Sequence, residues 1–318
     1  MRACVRPFFL LVVTLASLHV ARAQFGGTPG AFSRLGFGAR GIGMGNAMTA
    51  VARGDIVGYY NPALLPFAGY RHAGGTFGVL SLDRALNFLG YSQPVQPSAG
   101  VSVGIINAGV SEIDGRDSDG RQTGPLKTSE NEFLFGFANR FPAGFAIGLN
   151  VKFYLHHLYT DVTATSIGID VGVFVPVGSS LSLGVTVRDI NAKYKWDTGE
   201  LYGRDGKTTE DKFPLLYTIG AAYQLPDSLA LVSLDLEASN ASTLILRGGV
   251  EVPLMPELTV RGGIDRVDLK EKGAGVRPSL GFSLRRSLGE WEPAVHYAFI
   301  AEPFSGSAIH LISVSAIF

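Results

Sequence analysis

The sequence has very little cysteine: Cys4 is the only one in 318 residues. It falls in a stretch that reads as a secretory leader. Arg2 and Arg6 precede an apolar run from Phe8 to Val20, and Ala21-Arg22-Ala23 forms a small-x-small cleavage signal before Gln24. The run is 13 residues long and ends beside an arginine, too short for a membrane-spanning helix. A chain cleaved after residue 23 has no disulfide, thiolate metal site or cysteine nucleophile. The leader carries three of the 27 basic residues and none of the 27 acidic ones, leaving 24 against 27 and a net charge of −3. Without a basic excess, no nucleic-acid partner is expected.

Long apolar runs are also missing. Nothing after residue 23 offers 18 consecutive apolar residues, yet the hydrophobic fraction is 46%, charged residues make up only 17% and mean hydropathy is +0.23. High apolarity without spanning helices, with 41 glycines and an export signal, leaves an exported all-β protein or a transmembrane β-barrel.

What is present decides between them. From residue 71 onward the chain divides into 14 alternating segments of roughly ten residues, the first at 71–80 and the last at 307–318, which is the length a tilted barrel strand needs. In the segment at 144–158, Phe145, Ile147, Leu149, Val151 and Phe153 share one face, against Gly148, Asn150, Lys152 and Tyr154 on the other. A soluble β-sandwich alternates as well. Aromatics near strand ends on the apolar face, such as Trp291, Tyr217 and Tyr223, favour a barrel with interfacial girdles. Short Pro/Gly turns such as Phe141 to Gly144 and Pro253 to Glu257 alternate with longer polar connections, Ser111 to Glu130, Asn191 to Lys212 and Arg266 to Val276. The expected fold is therefore a 14-stranded antiparallel transmembrane β-barrel over residues 71–318, with both chain ends on the periplasmic side of an outer membrane.

The stretch from Gly38 to Pro66 breaks the pattern. It is rich in Gly and Ala, lacks two-residue alternation, and contains Asn61-Pro62-Ala63, where proline biases the preceding residue away from helix. A short helix is expected over Met44 to Arg53. Fourteen strands lie between the eight that side chains can fill and the 16 to 18 that leave an aqueous channel, so residues 24–70 are available to occupy the interior as a hatch.

Charges fall on the inward face: Lys152, Arg188, Asp235, Arg247, Glu251, Arg261, Asp265 and Arg285 among others. Adjacent strands are expected to pair Asp235 with Arg247 and Glu251 with Arg261. Because both signs occur in similar number, this set reads either as a structural ladder of ion pairs or as a selective lining. His156 and His157 face opposite sides of a strand and cannot share a metal. Asp114, Asp117 and Asp119 lack a calcium loop's first and twelfth ligands. No G-x-S-x-G motif suggests a hydrolase; His296, placed near Glu292 and Ser313, is the best candidate base and has no nucleophile motif to serve. No metal, cofactor or enzymatic activity is expected.

The glycines and methionine of Gly41, Gly43, Met44 and Gly45, with the closing Asn61, Pro62 and Ala63, resemble the N-terminal hatch of outer-membrane barrels related to the fatty-acid transporter FadL, and especially their shorter PorV/PorQ-type relatives. Phe318, with Ala316, Val314 and Ile312 in step behind it, resembles the terminal signal by which the barrel-assembly machinery recognises such proteins for insertion. The resemblance implies a lipid-embedded barrel, a gating role for the hatch residues, and transport of small hydrophobic molecules. Its alternative implication is a non-enzymatic part in type IX secretion or surface-protein assembly, with secretion-system proteins as partners.

Overall fold

The computed structural model describes residues 27–55, 58–159, 162–270, 275–303 and 308–318; the leader, 1–23, and the cleavage position before Gln24 lie outside the described residues. Period-two patterning from residue 72 onward becomes strands β1 (His72–Val79), β2 (Arg84–Val95), β3 (Ala99–Arg116), β4 (Gln122–Arg140), β5 (Ala146–Tyr159), β6 (Val162–Val177) and β7 (Leu181–Ile190). A small hairpin follows, β8 (Lys193–Asp197) and β9 (Thr208–Lys212), with the one-turn helix α2 (Gly199–Tyr202) between its strands. The second half contributes β10 (Leu216–Gln224), β11 (Leu231–Ser239), β12 (Leu244–Pro253), β13 (Leu258–Asp268), β14 (Pro278–Arg285), β15 (Glu292–Ile300) and β16 (Ile309–Ile317).

Fourteen of these strands form one closed antiparallel barrel, and β8–β9 stands apart as its own two-stranded sheet. Each neighbour pair is adjacent in sequence except at two places. Strand β7 pairs directly with β10 across the inserted hairpin, and β1 closes on β16 in register from His72↔Ile317 to Val79↔His310. Closure leaves no sheet edge with unpaired backbone. Outward positions are apolar and open, for example Phe135 at 54% and Ile219 at 61% exposure, while the alternate inward positions are buried and largely polar, such as Asn150, Lys152 and Ser102. This inverts a soluble sandwich, whose apolar residues turn inward, and settles that alternative.

The long polar connections differ in detail from the sequence expectation. Segment 111–130 is not all loop: β3 continues to Arg116 and β4 begins at Gln122, paired through Ile113↔Leu126 past a bulge after Val110. The 191–212 connection folds into β8–β9, whose Tyr194 ring packs against Phe213 at 4.9 Å. Both are cases in which a polar stretch pairs with itself once a hairpin brings its halves together.

The non-alternating stretch contains helix α1 (Gly38–Gly43), upstream of the helix expected over Met44 to Arg53. Gly45 (φ 61°) adopts the left-handed conformation, and the amides of Gly45 and Asn46 bond back to the carbonyls of Ile42 (3.0 Å) and Gly41 (2.8 Å). Those two bonds close a helix C-terminus of the Schellman type, so Gly45 ends a helix and cannot sit inside one. Asn61 (φ −158°, ψ 112°) is extended before Pro62, and a 3₁₀ turn, Pro62–Phe67, leads to β1.

Candidate functional site

The described residues of the N-terminal segment make contacts with the inward face at several levels. The 3₁₀ turn Ala31–Arg34 sits at the end with the long connections, where Phe32 meets Tyr154 edge to face at 6.4 Å. Further along, the Ala39 amide donates to Ser313 Oγ (2.9 Å), Ser279 Oγ donates to the Gly43 carbonyl (3.3 Å), and the Thr49 amide donates to Asp235 (3.0 Å). At the end with the short turns, Asn61 Oδ1 caps the following turn through the Ala63 amide (3.0 Å), while its Nδ2 donates to the carbonyls of Thr49 (2.9 Å) and Val173 (3.1 Å). One asparagine thus ties two parts of the segment to each other and to β6. Pro62 fits because its missing N–H falls where a helical turn has no partner for it.

Close backbone approach explains why the wall opposite is glycine. A side chain at Gly249 would meet the Met44 carbonyl oxygen at 2.3 Å, and one at Gly148 would meet the Ala63 nitrogen at 2.5 Å. Of the hatch residues picked out in the sequence, Gly43, Met44, Gly45, Pro62 and Ala63 lie at contacts between the segment and the wall, Asn61 joins both, and Gly41 packs beneath the Tyr60 ring.

The inward charges gather in three groups. In the first, Lys152 Nζ bonds Asp170 (2.8 Å) and Asp189 (3.1 Å), Tyr154 donates to Asp189 (2.7 Å), and the Arg188 guanidinium lies over the Tyr59 ring at 4.8 Å. Glu132 is fully buried beside them, and neither of its oxygens has a hydrogen-bond partner among the described residues. In the second, Glu251 accepts from Arg40 Nε (2.9 Å) on the segment and from Arg261 Nε (2.5 Å) on β13; the expected pairing of Glu251 with Arg261 is present. Arg261 also bonds Ser283, which is 2.5 Å from His296 Nδ1. His296 Nε2 is 2.8 Å from Ser315 Oγ; Ser313, expected near it, is its cross-strand register partner, but the imidazole's hydrogen bonds go to Ser283 and Ser315. Asp55 reaches this group from the segment, 3.8 Å from His72 and 3.5 Å from His296. Burial alone would raise the Asp55 carboxyl, but the imidazoles of His72 and His296, when protonated, and the charge of Arg40 hold it below its usual value.

The third group is a chain of alternating sign: Glu237, Arg247, Asp265, Arg277, Glu302. Arg247 bonds Glu237 (3.0 Å) and Asp265 (3.1 Å); Arg277 lies 3.7 Å from Asp265 and bonds Glu302 (2.5 Å). The expected Asp235–Arg247 pair is in cross-strand register, yet Arg247 turns to Glu237 and Asp265, and Asp235 accepts from Thr49 instead. Arg285 belongs to none of these groups; it is 3.8 Å from Glu292 at the short-turn end, both side chains about two-fifths exposed.

Above the Ala31–Arg34 turn, at the long-connection end, a cavity of about 320 Å³ opens into the barrel. Ala31, Phe32, Arg34 and Leu35 form its floor. One arc of wall, from β1 to β4, presents Leu80, Leu86, Ala108 and Val110 beside Arg84, Thr128 and Glu130; another, from β11 to β15, presents the alternating charge chain.

Sequence reasoning missed several members. By alternation Asp189 belongs on the apolar face beside Val187, but a register shift between Ile169 and Val171 and a positive φ at Asp189 (62°) turn it inward. Arg34, Arg40 and Asp55 lie in the irregular segment, where no period assigns a side; a charge in a stretch meant to fill an interior was their only signal. In the aspartate-rich loop, Asp117 accepts from the amides of Asp119 (3.0 Å) and Arg121 (2.8 Å) as an ordinary turn. Among the described residues no group of three His, Cys, Asp or Glu is placed to hold a metal.

No protein-family model matches the sequence, and no curated protein matches it. Solved structures do match. The toluene transporter TodX of Pseudomonas putida superposes with a TM-score of 0.63 at 13% identity, over 89% of this chain and 97% of its own. The toluene transporter TbuX of Ralstonia pickettii gives 0.58 at 14%, over 90% and 98%, and a FadL homologue of Pseudomonas aeruginosa gives 0.59 at 12%, over 89% and 98%. The fold is therefore that of FadL-like 14-stranded barrels.

Proposed function

We infer that the protein is an outer-membrane barrel through which small hydrophobic molecules pass, with residues 24–70 as an internal hatch and residues 71–318 as the wall. The observation that carries this reading is the cavity at the long-connection end, within a closed barrel whose outer face is apolar. A closed barrel with an apolar outer band meets the requirement that lipid leave no backbone group unpaired. Two of the structures sharing the fold are toluene transporters, which supports the substrate class.

In this reading the long connections face outside and the short turns face the periplasm. Arg71 and Phe318, bonded to each other's backbone (3.2 and 3.0 Å), then lie on the periplasmic side. Phe318, stacked on Trp291 at 5.2 Å, serves there as the insertion signal for the barrel-assembly machinery. Gly41, Gly43, Met44, Gly45, Asn61, Pro62 and Ala63 act as the gate, and the role is non-enzymatic, without metal or cofactor. Reconstituted liposomes that take up hydrophobic probes faster than protein-free liposomes support this function; equal rates overturn it.

The exposed polar hairpin of β3 and β4, which ends in the Asp114–Arg116 pair (2.6 Å, both side chains over half exposed), favours a second reading. It suits a PorV/PorQ-type docking component of type IX secretion or surface assembly. A stoichiometric protein partner recovered from detergent extracts, together with liposomes that take up nothing, selects this alternative.

A further inference from the structure

The cavity above the Ala31–Arg34 turn is not a plain apolar pocket, and its walls say what it would hold. On the β1–β4 side Leu80, Leu86, Ala108 and Val110 form an apolar strip bordered by Arg84, Thr128 and Glu130; on the β11–β15 side the chain Glu237–Arg247–Asp265–Arg277–Glu302 is flanked by Ile245 and Arg266. Each guanidinium in that chain already sits between two carboxylates: Arg247 between Glu237 (3.0 Å) and Asp265 (3.1 Å), Arg277 between Asp265 (3.7 Å) and Glu302 (2.5 Å). The polar wall is thus rich in donors and acceptors, with both of the chain's guanidiniums already shared among its three carboxylates.

Resting on the transport reading above, we propose that this cavity selects uncharged amphipathic molecules, an apolar ring or chain carrying a hydroxyl, over both the bare hydrocarbon and ions of the same frame. A hydrocarbon filling about 320 Å³ must displace water from the charge chain and cannot return the hydrogen bonds that the water made. A carboxylate must compete with Glu237, Asp265 or Glu302 for a guanidinium already paired in a buried site, and breaking such a pair leaves a charge uncompensated. An ammonium ion meets the same chain with Arg34 beneath it and Arg247 and Arg277 beside it. A hydroxyl donates to a carboxylate oxygen and accepts from a guanidinium N–H at once, without separating either from its partner. Its apolar body lies against Leu80, Leu86 and Val110.

The test uses one ring with four substituents. Benzyl alcohol, toluene, benzoate and benzylammonium are titrated into the purified full chain in detergent, and uptake of toluene and benzyl alcohol is followed in liposomes. Benzyl alcohol is expected to bind about tenfold more tightly than toluene, the size of effect that one satisfied buried hydrogen-bonding group supplies. Both ions are expected to bind more weakly than the alcohol. A purely apolar cavity gives the opposite order, because transfer from water favours toluene. Arg277→Met is expected to abolish the preference for the alcohol. Glu302→Gln, a milder change, leaves Arg277 less neutralised and is expected to raise benzoate binding several-fold relative to benzyl alcohol; the heat-modifiable gel mobility of each variant reports that the barrel has formed. Toluene or either ion binding as tightly as benzyl alcohol overturns this ligand class, as does binding by none of the four. Liposomes that take up hydrophobic probes in that case leave the transport reading standing, and liposomes that take up none remove it separately.

Discussion

Leu149 and Asn150 show how much one position decides. Leu149 is 43% exposed on the outer face, whereas Asn150 is fully buried and donates to the Gly58 carbonyl of the segment (2.9 Å). An arginine on the lipid face near mid-bilayer costs about 2 to 4 kcal/mol, so Leu149→Arg should lower stability in lipid by that order in a denaturant titration, with Leu149→Phe nearly neutral. Asn150→Ala acts by another route. It strips a partner from a buried carbonyl and should cost about 1 to 3 kcal/mol in the same titration. Asp55 supplies a pH-dependent residue. Because its carboxyl is held below the usual value in the folded state, its contribution is complete above the unfolded value, near 3.8, and is lost as pH falls through the folded value. Proteolytic protection of the segment should therefore fall below about pH 4 in the wild type. Asp55→Asn should be less protected at neutral pH and show a flatter acid limb.

The element in question is the N-terminal segment. Its backbone passes so close to the wall that Gly249→Val drives a side chain onto the Met44 carbonyl. Overpacking of this kind costs about 1 to 3 kcal/mol, and here the segment is the softer party. Faster protease cleavage between residues 38 and 55, with the barrel still heat-modifiable, is the expected result. A locked segment is the complementary experiment. A Cβ at Gly43 would lie 3.8 Å from that of Arg261, the spacing typical of disulfides, so Gly43→Cys with Arg261→Cys should cross-link on oxidation. If the segment gates passage, oxidation stops uptake and reduction restores it, and unchanged uptake with the bond formed identifies a static plug. The single-cysteine variants control for the loss of Arg261, since Glu251 keeps Arg40 as a partner.

At the scale of the molecule, the wall closes strand on strand without drawing any strand from the N-terminal segment. Eight-stranded barrels fill themselves and 16-stranded ones conduct water, so a 14-stranded wall deprived of residues 27–67 should form a wide pore. Planar-bilayer conductance well above that of the intact protein is expected. Conductance no higher than the intact protein's would mean that the wall collapses inward without the segment.

How much of this was legible follows from range. Strand number, strand faces and the turn/loop asymmetry depend on a two-residue period and on Pro/Gly punctuation, both local, and all 14 alternating segments became barrel strands. Glycine at the end of α1 was also a local signal; its neighbours Met44, Met48 and Val51 share one helical face, and that periodicity masked it. The sequence by itself therefore determined a 14-stranded wall with an apolar outside, a polar inside and an irregular stretch left over. Beyond the register neighbours Glu251 and Arg261, only the tertiary structure decided which inward charges meet. Arg247 chose Glu237 and Asp265 over its register partner Asp235 because Thr49, 186 residues before Asp235, already occupies that carboxylate with its amide. Asp189 points inward because a bulge and a left-handed residue override alternation. Such contacts form across the barrel and between the wall and the segment, and no period in the chain encodes a distance between residues that closure alone brings together.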